Sequence, residues 1–389
     1  MRVAVRRDQR QEGAGHVMRT RSGRASARGR VSDRGADSGG ERYAAEWTLD
    51  GRWLVLGKDG RLSAYARSRD GLLRWTETRP GGPHWSAPEL FAVPDLTHLS
   101  VVQGADTYVH FLGRRARGGD GPVAVDVVHA IQYQTARPVT EWRSVGNPHK
   151  DQERAARLGA PVGVVSASGR VHVLVPNAGG GLMLRREGAD GRWEAWADLK
   201  GSGVRDGVAA LAHASGRVEV LAGNRAHTLR WSQAKADGAL GQEPNIALRV
   251  TPGTLTLLET APDRATYYWA DLDTGGLLAH RHGGWVIPLG QVTTGDGIAA
   301  LRTVLDGYDC TVLAHRGPDG HVMLAACGTE NEGGGLWWSP TGGSGTGAPA
   351  LALDGHGRVV LAVIGQDGAL HVARQAEGPG LSLDPAVRV

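Results

Sequence analysis

A Gly-Arg turn set between two short apolar runs recurs through this chain, and that repeat limits the fold more than any other feature. It reads Asp59-Gly60-Arg61, Ser168-Gly169-Arg170, Ser215-Gly216-Arg217 and His356-Gly357-Arg358, with weaker copies at Asp263-Arg264 and Gly307-Tyr308. About eleven residues later a second turn opens another apolar run, as in Gly71-Leu72-Leu73-Arg74-Trp75, Gly181-Leu182-Met183-Leu184-Arg185 and His227-Thr228-Leu229-Arg230-Trp231. Gly368-Ala369-Leu370-His371 is the copy nearest the C-terminus. A seventh, distorted copy lies near 106–129, where an Arg/Gly-rich loop at 114–121 interrupts it.

The repeats start near residues 49, 98, 160, 207, 254, 298 and 348, mostly 44–50 apart, with the second interval lengthened by 145–157. Twelve Asp-Gly pairs punctuate them, and this pair supplies the positive φ that tight hairpins need. The first run of each copy (161–165, 207–212, 254–258, 297–301, 348–353) is apolar and rich in small residues, as befits a strand covered on both faces that converges on an axis. These runs are too short for helices and end in Asp-Gly or Ser-Gly. The pattern predicts an all-β chain: a seven-bladed β-propeller of four-stranded antiparallel blades over residues 43–389. Leu381, Leu383, Val387 and Val389 make the C-terminus apolar, so it is expected to pair with the first blade and close the ring.

The formal charge of +4 and the pI near 9.3 first suggest a nucleic-acid partner. Residues 1–42, however, hold eleven Arg against five acids, leaving the remaining 347 residues at −2. The basic character belongs to an Arg-rich segment with too few apolar residues to form a core, which reads as a disordered tail. Met18 inside it is a plausible alternative start. No sequence-specific nucleic-acid binding is expected of the body. No run of about 18 apolar residues is present, and no apolar stretch of secretory type follows the tail's charges, so the cytoplasm is the default expectation, with secretion by another route left open. Two Cys exclude a disulfide scaffold and any Cys-rich metal site. Four Lys beside 40 Arg suggest a high-GC bacterial genome rather than a function.

The Gly-Arg turn, the strand, the Asp-Gly-x-Leu step and a Trp-bearing tail together resemble the seven-bladed propeller lectins of the Photorhabdus-lectin type, and more loosely the tectonins. The match is best from Ser168 to Val175 and from Arg192 to Leu199, in the third copy. The resemblance implies shallow monosaccharide sites between adjacent blades, with no metal, cofactor or catalysis. It singles out Trp85, Trp193, Trp196, Trp75 and Trp231, with Arg185 beside them, as candidate ligand-binding residues. Physics supports that chemistry: an indole face covers the C–H side of a pyranose while nearby charged groups bond its hydroxyls. The competing reading is that these Trp simply pack blade against blade. Trp142, Trp285 and Trp337-Trp338 stand in altered contexts, and the fourth and seventh copies lack the Trp-x-x-Trp segment.

Where the lectin pattern favours Asn, four residues before the turn Arg, this chain has Ser166, His213 and Asp354, with Thr260 and Gln103 in weaker copies. His213, Asp354, Glu259 and Arg302 would be the catalytic groups of a second reading, a specialised-metabolism cyclase, lyase or isomerase working at the central channel. A third reading is a protein-binding scaffold, since the fold does not dictate function. The ligand is a carbohydrate or another small molecule, and the oligomeric state is left open. His280/His282 and His315/His321 are the closest His pairs, yet neither has a third ligand at a recognised spacing, so no metal is expected. Cys310 and Cys327 lie symmetrically about the turn at 317–320 and would face each other in a symmetric hairpin; a bulge at Gly320 would put them out of step.

Overall fold

The computed structural model describes residues 44–47, 52–118 and 123–389. The described residues belong to one compact unit. The Arg-rich segment 1–42, expected as a tail, lies outside the described residues.

Seven antiparallel sheets, each built from consecutive strands, follow one another along the chain as seven blades. Blade three shows the plan: Val162–Val165 innermost, then Val171–Pro176, Leu182–Arg186 and Ala197–Asp198 at the rim. The other innermost strands are Leu54–Leu56, Leu96–Gln103, Ala209–Ala212, Thr256–Ala261, Ala299–Leu305 and Thr346–Leu353, in blades one, two, four, five, six and seven. In blade one, Ala45–Trp47 also pairs with Leu62–Ser68, making that sheet five-stranded.

Blade two departs from the expected interruption. Val109–Arg117 and Ala124–Gln132 run in register to Arg117↔Ala124, so 114–117 are strand rather than loop. The insertion at 145–157 holds a short helix, Gln152–Ala156, whose first turn is capped by the Asp151 carboxylate accepting from Arg154 N at 2.9 Å.

A side chain at one repeat position explains why the copies are so alike. Glu77, Glu187, Gln233 and Gln375 stand at or just past the end of the third strand, and each accepts a hydrogen bond from the first N–H of its blade's second strand: Leu62, Val171, Val218 and Val359. Each therefore satisfies a backbone donor at the strand's start. Another repeated position holds Arg186, Arg281 and Arg374, and each of these reaches the next blade. Arg186 donates to the carbonyls of Asp237 and Gly238, Arg281 pairs with the buried Glu332, and Arg374 pairs with the buried Glu77. Between these polar grips the seams are apolar, and Trp53, Trp75, Trp231 and Trp269 are fully buried in them.

The ring closes differently from the expectation. Val387–Arg388 pairs with Leu370–Arg374 as the outer strand of blade seven itself, because the turn at 375–383 folds straight back onto its own blade. Closure rests instead on Trp53 Nε1 donating to Ala348 O (3.1 Å), Ala45 N to Gly368 O (3.1 Å), Arg358 to Gly81 O (2.6 Å) and the Arg374–Glu77 pair. The cysteines are out of step: Cys327 faces Thr311, and Cys310 faces Gly328. The turn carries an odd residue, with Gly320 at φ +82°, so the two thiols fall on opposite faces and both are free.

Candidate functional site: blade seams and central channel

The candidate Trp residues separate by burial. Trp75 and Trp231 are 1% and 0% exposed, and Trp231 Nε1 is spent on Leu199 O at 2.9 Å. With no face toward water they pack the core, which corrects their assignment as ligand contacts. They sit mid-strand on the third strand, whose two faces are covered by neighbouring blades. Trp85 and Trp193 come after that strand, in isolated bridges to Glu77 and Glu187, and are half-buried. Trp193 meets the ring of His129 edge-on across the seam to blade two (centroids 5.4 Å). Trp196 is also half-buried, with the Arg185 guanidinium 5.8 Å above its ring. Arg185 is already tied to the carbonyls of Glu194 and Val145, the second in blade two.

The seam between blades one and two opens into a groove of about 350 Å³ lined by Phe91, Val93, Arg115, Val139, Glu141 and Trp142, among others. Trp142 is half-buried against Phe111 (centroids 6.2 Å), Glu141 is exposed, and Arg74 lies 4.8 Å over the Phe91 ring. Arg115 Nε and Trp142 Nε1 have no hydrogen-bond partner among the described residues. Two further Trp project into water: Trp285 at 91% and Trp337 at 87% exposed, both in the link between third and outer strands, in blades five and six. Trp142, Trp285 and Trp337 stand in altered contexts, so the repeat does not single them out. The glycines beside two of them, Gly283-Gly284 and 333–335, were the signal that these links stand clear of the core.

Within the channel, Arg52 reaches across from blade one to donate to Ala210 O in blade four (2.6 Å). The mouth at the starts of the innermost strands holds a cavity of about 270 Å³ lined by His98, Pro161, Asp206, Pro252, Leu255 and Asp296, with several glycines. At the opposite ends of these strands, two of the four candidate catalytic groups meet. His213, 4% exposed, lies 3.2 Å from Glu259 through Nδ1 and 3.2 Å from Glu219 through Nε2. Arg230 and the Tyr267 hydroxyl both bond Glu219 at 2.6 Å. Burial acts to raise the Glu219 carboxyl, but His213, Tyr267 and Arg230 outweigh it and bring it down to about 2. Burial likewise works against a charged His213, and its two carboxylates overcome this to raise its pKa.

The other two groups serve different neighbours. Asp354 is buried in the seam between blades seven and one, accepting from the His356 and Arg358 amides and pairing with Arg358 and Arg374. Arg302 is forked onto Asp309 at the surface. The His pairs do not form chelates. His280 is buried while His282 is exposed; His315 is 0% exposed against Trp338 while His321 is exposed beyond the turn.

No family model and no curated protein matches this sequence. Solved structures do match its fold. A putative 6-phosphogluconolactonase from Bacteroides fragilis has a TM-score of 0.54 at 15% identity, covering 85% of this chain and 96% of that one. Aleuria aurantia lectin in complex with Fucα1-6GlcNAc gives 0.46 at 13%, over 74% and 94%. The Hadza microbial sialidase Hz136 gives 0.49 at 12%, over 75% of this chain, which spans 65% of the sialidase's length. At these identities the likeness is one of fold.

Proposed function

We propose that this chain is a lectin-like propeller of the Photorhabdus-lectin type that binds carbohydrate, without catalysis, at Trp-bearing seams between blades. The groove between blades one and two carries the reading. Its Trp142 and Phe91 supply apolar faces of the kind a pyranose C–H surface covers, and Glu141, Thr140 and Arg115 supply groups that bond hydroxyls. The buried, partnerless N–H groups of Arg115 and Trp142 belong to residues lining this groove, and a sugar hydroxyl bonded to them would relieve two unsatisfied donors. Trp85, Trp193 and Trp196, with Arg185 beside Trp196, are secondary positions of the same kind.

The enzyme reading has less support, because Asp354 and Arg302 are committed to partners away from His213 and Glu259. Glycan-array screening followed by calorimetry tests the proposal. Glu141→Gln, on an exposed side chain, should weaken the best-binding glycan at least tenfold with the melting temperature unchanged. Binding to no glycan, or unaltered binding by Glu141→Gln and Trp142→Ala together, would remove the groove from the account.

A further inference from the structure

The geometry points to a divalent metal site of the Zn2+ or Mn2+ class between blades four and five, formed by His213 Nδ1, Glu259 and Asp263. One ligand atom from each of these residues lies within 4.8 Å of the others. A tetrahedral ion with bonds of about 2.1 Å needs its donors roughly 3.4 Å apart. The His213–Glu259 separation, 3.2 Å, already meets this, and the Asp263 side chain, 42% exposed, has room to swing in.

Three features fit a built site. The first is the second shell. Glu219 accepts from His213 Nε2 and is itself held by Arg230 and Tyr267, so it orients the imidazole and directs Nδ1 toward the other two donors. The second is the fixed carboxylate. Glu259 takes the Asp263 amide on Oε1 (2.9 Å) and the Ala214 amide on Oε2 (2.8 Å), which locks it between the two blades. The third is a departure from the repeat. Where Gly60, Gly169, Gly216 and Gly357 precede the turn Arg at φ between +77° and +86°, blade five has Asp263 at φ +56°. Asp is among the few non-glycine residues that adopt that conformation, and here it brings a carboxylate within reach of the His213 ring.

Exposure rises from His213 (4%) through Glu259 (19%) to Asp263 (42%), so an ion enters from the solvent side. It replaces the hydrogen between Nδ1 and Glu259, and it draws Asp263 away from Ser215 and Arg217, its present partners. The ligand set, one nitrogen and two carboxylate oxygens with positions left for water, suits Zn2+ or Mn2+ rather than a soft thiolate-seeking ion.

The test is calorimetric titration of the chelator-treated full chain with Zn2+ and, separately, Mn2+. The expected result is one ion per chain, with affinity cut at least tenfold in Asp263→Gly. That variant restores the residue of the other turns and so keeps the fold. His213→Ala should abolish binding; if it fails to fold, Asp263→Gly alone decides. Absence of binding below millimolar ion, or binding unchanged in Asp263→Gly, overturns the assignment.

Discussion

Two histidines on neighbouring strands of blade two, His110 and His129, stack with centroids 5.3 Å apart and ring planes 5° from parallel, joined by an N···N contact of 3.1 Å. One ring donates and the other accepts, so the accepting ring is neutral, and burial disfavours charge on both. Burial brings His110 down to about 4, and burial together with the charge of His110 brings His129 down to about 3. In the unfolded chain both return to about 6.5. A depressed histidine contributes stability that is complete above pH 6.5 and is lost as pH falls through the folded values. Urea midpoints should therefore drop from pH 6.5 toward pH 4, with a swing on the order of 3 kcal/mol from His110 alone. His129→Phe, which keeps an aromatic ring against Trp193, should flatten that slope. An unchanged slope would mean that the pair is not the acid-sensitive element.

At the scale of elements, the strands were legible in the sequence because Gly-Arg and Asp-Gly turns bracket short apolar runs. In blades three, four and six the innermost strand begins one or two residues later than the apolar run because Pro161, Gly207 and Gly297 belong to the channel mouth. Ring closure was not legible. An apolar C-terminal run reads the same whether it pairs with the first blade or folds back on the last, and the groups that do close the ring lie some 300 residues apart in sequence. Arg374→Ala tests that closure. It leaves the buried Glu77 and Asp354 carboxylates without their shared cation, a loss of about 3–5 kcal/mol. Hydrogen exchange should quicken first in blades one and seven. Equal acceleration around the ring would contradict the assignment of the seam as the closing element.

For the whole molecule, the candidate site was partly legible. Twelve Trp stand beside only seven Tyr and two Phe, but the choice among them followed the best-preserved repeats, and preserved repeats are where packing demands are strictest. Trp75 and Trp231 are regular because they are buried. Trp142, Trp285 and Trp337 lie where the repeat is irregular, with less packing to hold the pattern. The basic charge separates from the propeller as well, since residues 1–42 carry +6 of a total of +4. Removing them should lower the pI to near or below neutrality and leave glycan affinity unchanged. A fall in affinity would assign the Arg-rich segment to the binding site.

Carbohydrate recognition at the seam between blades one and two is tested most directly by the Trp indole N–H resonances of isotope-labelled protein, followed as the best glycan from an array is titrated in. The twelve Trp provide reporters both within and away from the groove. The Trp142 resonance should shift earliest and furthest, while those of the buried Trp75 and Trp231 stay in place. A titration in which Trp142 is silent at saturating glycan would contradict the account.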